Sequence, residues 1–115
     1  MSINNIKIKN HLFKNPIMNA SGCWCTTEKE LLELANSNSA AVVSKSCTPS
    51  YRYGNQHPRR YYNNVLSINS TGLANEGYEF YNSIGKEMKK SKPYFLSVAG
   101  IEKGDNIYII EQKQN

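Results

Sequence analysis

Residues Ala40-Ala-Val-Val-Ser-Lys-Ser46 decide the fold. Small and β-branched residues run unbroken over 40–44, which describes a strand buried on both faces, as parallel strands are. The run then ends abruptly in Lys45 and Ser46. On its N-terminal side, Thr27 with Glu30 three residues on forms a capping box. Leu31, Leu32, Leu34 and Ala35 supply an apolar stripe, so the spacing predicts a helix over 27–36. Before that helix, Pro16 to Asn19 reads as a short apolar strand ended by Ala20-Ser21-Gly22. On the other side, Phe80, Tyr81, Ile84 and Met88 recur at helical spacing from Glu76 until Pro93 stops the pattern. Tyr94 to Val98 reads as a third buried strand, ended by Ala99-Gly100, and Asn106 to Gln112 begins another helix. Ile6 and Ile8, then Leu12 and Phe13, flank Asn10 and suggest a short N-terminal hairpin.

Strand, helix, strand, helix, strand, helix is an α/β order, which demands parallel strands joined by right-handed crossovers. Each predicted strand finishes in a small polar cluster, and in parallel α/β architectures the ligand sits at the carboxyl ends of the strands.

The bulk properties restrict the function further. At 115 residues and 39% hydrophobic content the chain has the composition of one small globular domain. It contains no apolar run approaching the ~18–20 residues of a membrane span and no signal-peptide core, so it reads as cytoplasmic with no membrane partner. Three cysteines, Cys23, Cys25 and Cys47, fit a reducing compartment and buried thiols. Cys23-Trp-Cys25 with His11 or His57 matches no common zinc spacing, so a packed thiol pair and no metal is the expectation. The net charge of +5 is not concentrated. Lys86, Lys89, Lys90 and Lys92, interrupted by Glu87, read as a solvated helix end. Tyr51 to Tyr62 interleaves arginine with aromatic rings, the composition of a stacking platform for RNA, but Gly54 and Pro58 favour a structured loop. No nucleic acid partner is expected.

The connection from Cys47 to Ser70 is too long for filler, since loops beyond ~12–15 residues are usually functional, and Val65, Leu66 and Ile68 allow a hairpin within it. It leads into Ser67-Ile-Asn-Ser-Thr-Gly-Leu-Ala-Asn-Glu-Gly77. There Asn69, Ser70 and Asn75 offer donors and acceptors without fixed charge, and the glycines allow close backbone approach to a small polar ligand.

Asn15-Pro-Ile-Met-Asn-Ala-Ser-Gly22, Val43-Ser-Lys-Ser46, Gly54-Asn55, Pro58-Arg59 and Leu66-Ser-Ile-Asn-Ser-Thr-Gly-Leu-Ala-Asn75 together resemble dihydroorotate dehydrogenase, most closely its soluble, fumarate-using class. The resemblance covers about Asn10 to Gly100. It implies a TIM (β/α)8 barrel flavoenzyme that oxidises dihydroorotate to orotate in pyrimidine (UMP) synthesis with FMN as cofactor and fumarate as acceptor, and a homodimeric parent. Position by position, it implies that Ala20, Ser21, Lys45 and Ser46 bind the cofactor. Lys45 would also meet the substrate, which Asn69, Ser70, Thr71, Gly72 and Leu73 would cradle. A lysine at a strand end can hold developing negative charge and pair with an anionic orotate.

Some residues depart from the family pattern. Thr71 stands where methionine is common and Ala74 where proline is common. Cys23-Trp-Cys25 is unusual, and Cys47, although near Lys45, is not at the family's catalytic cysteine position. A whole barrel takes roughly 250 residues, so residues 1–115 read as one incomplete domain of about three βα units preceded by the hairpin, truncated on the C-terminal side. The family's general base falls outside this sequence, and general acid–base work contributes ~10²–10⁴ in rate, so the isolated chain is expected to be inactive. The competing expectation is a degenerate family member acting as a binding or regulatory module on an intact subunit.

Overall fold

A computed structural model describes residues 5–114. Its elements in chain order are β1 (Ile6–Ile8), β2 (His11–Phe13), α1 (Glu28–Asn36), β3 (Val42–Val43), β4 (Arg60–Tyr62), β5 (Ser67–Asn69), α2 (Tyr78–Met88), β6 (Tyr94–Phe95) and α3 (Asp105–Gln114). β1 pairs antiparallel with β2, and β4 pairs antiparallel with β5. β3 pairs parallel with β6, Val42 opposite Tyr94 and Val43 opposite Phe95, so the unit is α/β with a parallel strand pair at its centre.

The parallel pair is shorter than the sequence predicts because serine side chains enter the ladder where it would continue. Ser97 N–H donates to Ser44 Oγ at 3.1 Å instead of to a carbonyl, and pairing resumes only at the isolated bridge between Cys47 and Val98. Residues 42–47 and 93–99 thus run alongside each other, but only Val42–Val43 and Tyr94–Phe95 form regular strand.

Pro16 to Asn19, predicted as a strand, is not one. Pro16 has no N–H to offer a ladder, and the Ile17 N–H is turned onto Asn15 Oδ1 at 2.9 Å. The segment still lies beside β3. Ala40 N–H reaches Ile17 O at 2.8 Å. Asn19 then replaces the missing main-chain ladder with its side chain: Oδ1 accepts from Val43 N–H and Nδ2 donates to Val43 O, both at 2.8 Å. A carboxamide carries the same donor and acceptor pair as a peptide group.

Helix α1 begins as its sequence dictates. Glu30 N–H donates to Thr27 Oγ1 at 3.3 Å, while Glu30 Oε2 accepts from Thr27 N–H at 3.0 Å and Thr26 N–H at 2.8 Å. Leu31 is buried, whereas Leu32, assigned by spacing to the apolar stripe, faces solvent. The C-terminal carbonyls of α1 take an unexpected partner. Lys92 Nζ donates to Ser37 O at 3.0 Å and Ser39 O at 2.8 Å, a cation on the negative end of the helix. Lys92 is therefore not part of a solvated face, and burial, then the nearby charge of Lys14, lowers its pKa from the ordinary lysine value. Glu87 and Lys90 do form the exposed pair, at 2.9 Å.

Helix α2 covers the parallel pair with Tyr78, Tyr81, Gly85 and Met88. Gly85 is required there: a Cβ would overlap the Tyr94 ring, whose hydroxyl donates to Tyr81 O at 2.8 Å. Tyr81, fully buried, donates its hydroxyl to Thr26 O at 2.8 Å and so ties α2 to the start of α1. Cys25, Leu31, Val42, Cys47 and, from α3, Ile109 complete this core. Among the described residues no helix is long and apolar enough to cross a membrane.

Two outcomes follow from this packing. Replacing Asn19 with alanine strands the Val43 N–H and carbonyl, so urea unfolding should show a loss of about 1–2 kcal/mol. Burial pushes the Tyr81 hydroxyl up to about 12 and raises Tyr94 as well. An unfolded tyrosine ionises near pH 10, so the unfolded state sheds protons first. The tyrosine contribution to stability should then be flat below about pH 10 and fall between about pH 10 and 12. Tyr81→Phe should flatten that fall while lowering stability at neutral pH, as read by denaturant midpoints across the range.

Candidate anion-binding site at the strand ends

The chain segments that leave residues 17–19, β3 and β6 converge at their carboxyl ends. Ser21 Oγ lies 3.0 Å from Ser46 Oγ, which lies 2.7 Å from Ser97 Oγ, a row of hydroxyls across all three segments. Beside it, Lys45 Nζ donates to Gly22 O at 2.8 Å, and Lys45 N–H donates to Cys25 O at 2.9 Å. The Asn19 clamp on Val43 fixes this arrangement, because Ala20, Ser21 and Gly22 follow Asn19 directly and Lys45 and Ser46 follow Val43 by two and three residues. Ala20 stands exposed, and a Cβ built on Gly22 would meet nothing closer than 3.9 Å, so the surface here is open. Ala20, Ser21, Lys45 and Ser46 are thus brought together.

The second half of the site comes from the long connection. β4 and β5 form a hairpin with Arg60 opposite Asn69, and its turn is held by Asn63 Oδ1, which accepts from Val65 N–H at 2.8 Å and Leu66 N–H at 2.9 Å. Every residue of both strands is exposed, so the hairpin stands out from the body rather than packing on it. Between hairpin and strand ends lies a cavity of about 350 Å³ lined by Gly22, Cys23, Lys45, Arg60, Asn69 and Thr71 among others. A neighbouring cavity of about 430 Å³ shares Lys45, Arg60 and Thr71 and adds His57 and Arg59. Neither lining contains an aspartate or glutamate, so the field inside favours an anion.

Ser70, Gly72 and Leu73 lie outside both linings. Their polar atoms hold the loop. Asn55 Nδ2 donates to Ser70 O at 3.0 Å and Ser70 Oγ at 2.9 Å, and Arg52 Nε donates to Gly72 O at 2.7 Å. Arg59 Nη1 reaches Tyr53 O at 2.8 Å and Thr71 O at 3.3 Å, its guanidinium lies over the Tyr53 ring, and Nη2 is 2.9 Å from His57 Nε2. Gly72 and Leu73 both take positive φ, 71° and 55°, and the loop turns there.

Asn75, which composition offers as a ligand donor, has nothing left to offer. It is 3% exposed. Its Oδ1 accepts from Thr48 N–H at 3.2 Å and Gly77 N–H at 2.8 Å, and its Nδ2 donates to Leu73 O at 2.7 Å and Thr48 Oγ1 at 3.0 Å. The expected packed thiol pair is also corrected: Cys25 is buried, and burial raises its pKa, but Cys23 is exposed at the cavity wall. Cys47 is sequestered in the core and donates to Ser97 O at 3.2 Å. Sequence reasoning missed Arg60, whose only signal was its place next to Arg59. It also missed the Gly22 carbonyl, which no side-chain pattern encodes.

An α/β unit with hydroxyls, a lysine and a cationic cavity at its strand ends has the layout of a small-anion-binding α/β enzyme. The family model for dihydroorotate dehydrogenase matches residues 4–115, and the chain belongs to that family. It is 42% identical over 114 residues to dihydroorotate dehydrogenase (fumarate) of Lachancea kluyveri, covering 96% of this chain and 36% of that relative. It is 39% identical over 109 residues to the protein of the same name from Trypanosoma cruzi, covering 93% of this chain and 35% of the relative. Against the Saccharomyces cerevisiae protein of that name it is 42% identical over 113 residues, 95% of this chain and 36% of the relative. The chain therefore spans about a third of the length of these relatives.

Replacing Asn75 with alanine leaves the N–H groups of the buried Thr48 and Gly77 without their acceptor. Urea unfolding should show a loss of about 2–3 kcal/mol, and amide exchange over residues 48–52 and 71–77 should accelerate before the rest of the chain responds.

Proposed function

We propose that this chain forms part of an FMN-dependent dihydroorotate dehydrogenase that oxidises dihydroorotate to orotate in pyrimidine synthesis and passes the electrons to fumarate. Residues 16–114 would contribute about three βα units to a TIM barrel, within a cytoplasmic homodimer. One observation carries the reading: Lys45 and Asn69, from separate elements, line one acid-free cavity beside the Ser21–Ser46–Ser97 hydroxyl row.

The donor set fits a flavin. A lysine ammonium has three N–H donors, and among the described residues Lys45 uses one side-chain hydrogen bond, to Gly22 O. Open surface at Ala20 and Gly22 leaves room for a flat ring, and Ser21 and Ser46 supply hydroxyls along it. Bound there, FMN supplies a two-electron acceptor adjacent to the substrate. Lys45 would pair with the orotate carboxylate, Asn69 would meet the amide edge of the pyrimidine ring with its carboxamide, and Thr71 would add a hydroxyl at the cavity wall. Ser70, Gly72 and Leu73 would act by holding that wall in place.

These residues bind and orient, and none is positioned here as the base that takes the substrate proton. The 115-residue chain alone should form no orotate. Grafting it in place of the matching region of the Lachancea kluyveri relative should restore turnover. In that chimera Lys45→Ala should lower kcat/KM for dihydroorotate by about 10²-fold or more. A folded, FMN-loaded chimera that leaves dihydroorotate unchanged would overturn the proposal.

A further inference from the structure

Lys45 is held by the segment that carries Cys23-Trp-Cys25. Its N–H donates to Cys25 O at 2.9 Å and its Nζ donates to Gly22 O at 2.8 Å, so both ties end on residues 22–25. The Gly22 carbonyl takes a second donor, the Cys25 thiol, whose Sγ lies 3.5 Å away. Because Gly22 is bonded to Cys23, the Cys25 thiol is turned back onto the peptide group that leads into the other cysteine. The chain bends over residues 21–24, which draws Cys23 and Cys25 closer than an extended chain would hold them. Two residues of extended chain span about 7 Å and the Cα atoms of a disulfide stand about 4.4–6.8 Å apart, so a local adjustment of the bend suffices to bridge the pair. The two thiols are also unequal. Cys23 is exposed at the cavity wall, where a soluble disulfide can reach it, whereas Cys25 is buried and burial raises its pKa, which makes it the slower of the two to react.

We propose that Cys23 and Cys25 form a thiol–disulfide switch that sets the position of Lys45. Cys23 attacks a sulfur of oxidised glutathione as its thiolate; the new S–S bond gives a mixed disulfide, and the displaced glutathione thiolate takes up the Cys23 proton. Cys25 then attacks the Cys23 sulfur, closing the internal disulfide and expelling the second glutathione, which leaves with the Cys25 proton. Two protein thiols are oxidised to one disulfide, and one glutathione disulfide is reduced to two thiols. Closing the bond takes the Cys25 S–H off Gly22 O and reshapes residues 22–25, the residues whose carbonyls hold Lys45 at both its N–H and its Nζ. The reduced protein thus presents Lys45 to the cavity as described above, and the oxidised protein moves it. The effect on ligand binding rests on the reading that this cavity is the functional site; the thiol chemistry does not.

The test uses the 115-residue chain, isotope-labelled, equilibrated with reduced and oxidised glutathione at a series of ratios. Remaining thiols are then alkylated and the chain is cut with trypsin, which places Cys23 and Cys25 together in the peptide 15–29. That peptide should lose both alkylation sites and weigh less by two hydrogens as the ratio becomes oxidising. The Lys45 amide and Nζ signals should shift with the same midpoint, while the amides of α2 stay where they are. Cys23→Ser carries the decisive comparison, because Cys23 is exposed and its replacement leaves the core intact. In that variant Lys45 should ignore the glutathione ratio. Glutathione retained on Cys23 with no internal bond overturns the inference, as does a Cys25–Cys47 linkage. So does a Cys23–Cys25 disulfide that leaves Lys45 unshifted, or a Lys45 response that survives in Cys23→Ser. Titration of both forms with orotate separates this inference from the functional reading. If orotate perturbs Lys45 and no internal disulfide forms, only this inference fails. If Lys45 follows the disulfide and orotate perturbs neither form, the functional assignment fails instead.

Discussion

Two hydrogen bonds from one carboxamide set the position of the whole ligand-facing surface. Asn19 grips the N–H and the carbonyl of Val43 at 2.8 Å each, from a segment whose Pro16 and turned-away Ile17 N–H leave it unable to pair as a strand. Because side chain substitutes for main chain at this point, the chain after Asn19 is free to turn sharply. Gly22 N–H closes onto Ala20 O at 2.8 Å, and the Gly22 carbonyl is left facing Lys45. A regular third strand would have spent those backbone groups on its neighbour. The Ser44 hydroxyl does the same on the other flank, taking the Ser97 N–H out of the β3–β6 ladder and leaving Ser46 and Ser97 side by side.

The polar residues near the site divide by whether their donors are already used. Asn55, Arg52, Arg59 and Asn75 are occupied by carbonyls and N–H groups of residues 48–77, and a loop of this length, carrying positive φ at Gly54, Gly72, Leu73 and Gly77, needs such ties to hold one shape. Gly54 shows how tight that packing is, since a Cβ there would overlap the Thr71 carbonyl. Among the described residues, Lys45, Arg60, Asn69 and Thr71 keep side-chain donors uncommitted and line the cavity. A rigid frame built from one set of polar groups thus presents another set with little left to order on binding, which lowers the entropic cost of recognition.

How far the sequence disclosed this depends on the range of the interaction. The capping box of α1, set by Thr27 and Glu30, is local and legible, and so is the apolar periodicity of α2. The placement of Ser21, Lys45 and Ser46 together was legible because parallel topology forces successive strand ends to one side. The Pro16–Asn19 segment misled because an apolar run does not reveal whether its backbone is available, and the competing side-chain pairing of Asn19 spans 24 residues. Lys92 misled for the same reason: a lysine run looks solvated unless the end of α1, more than 50 residues earlier, is known to lie under it. Asn75 and Asn69 are the same residue type six positions apart, yet one is buried scaffold and the other exposed at a cavity. Only the fold separates them.

The apolar surface bears on the barrel reading. Ile6, Ile8, Phe13, Ile17, Met18, Ala40 and Phe95 line a groove on the face between the N-terminal hairpin and the parallel pair, and Ile17 is 66% exposed. The radius of gyration is 15.7 Å, against roughly 13 Å for a compact domain of this length. An open slab whose outer β6 edge carries no further strand among the described residues is poorly stabilised by its own burial, since parallel strands depend on cover from both faces. The same residues need no such excuse inside a closed barrel, where Phe95 and Met18 would face the interior and the edges would be paired. On the proposed barrel reading, the site at the strand ends and the exposed groove beneath it would both be completed by further β/α units closing around residues that here stand in the open.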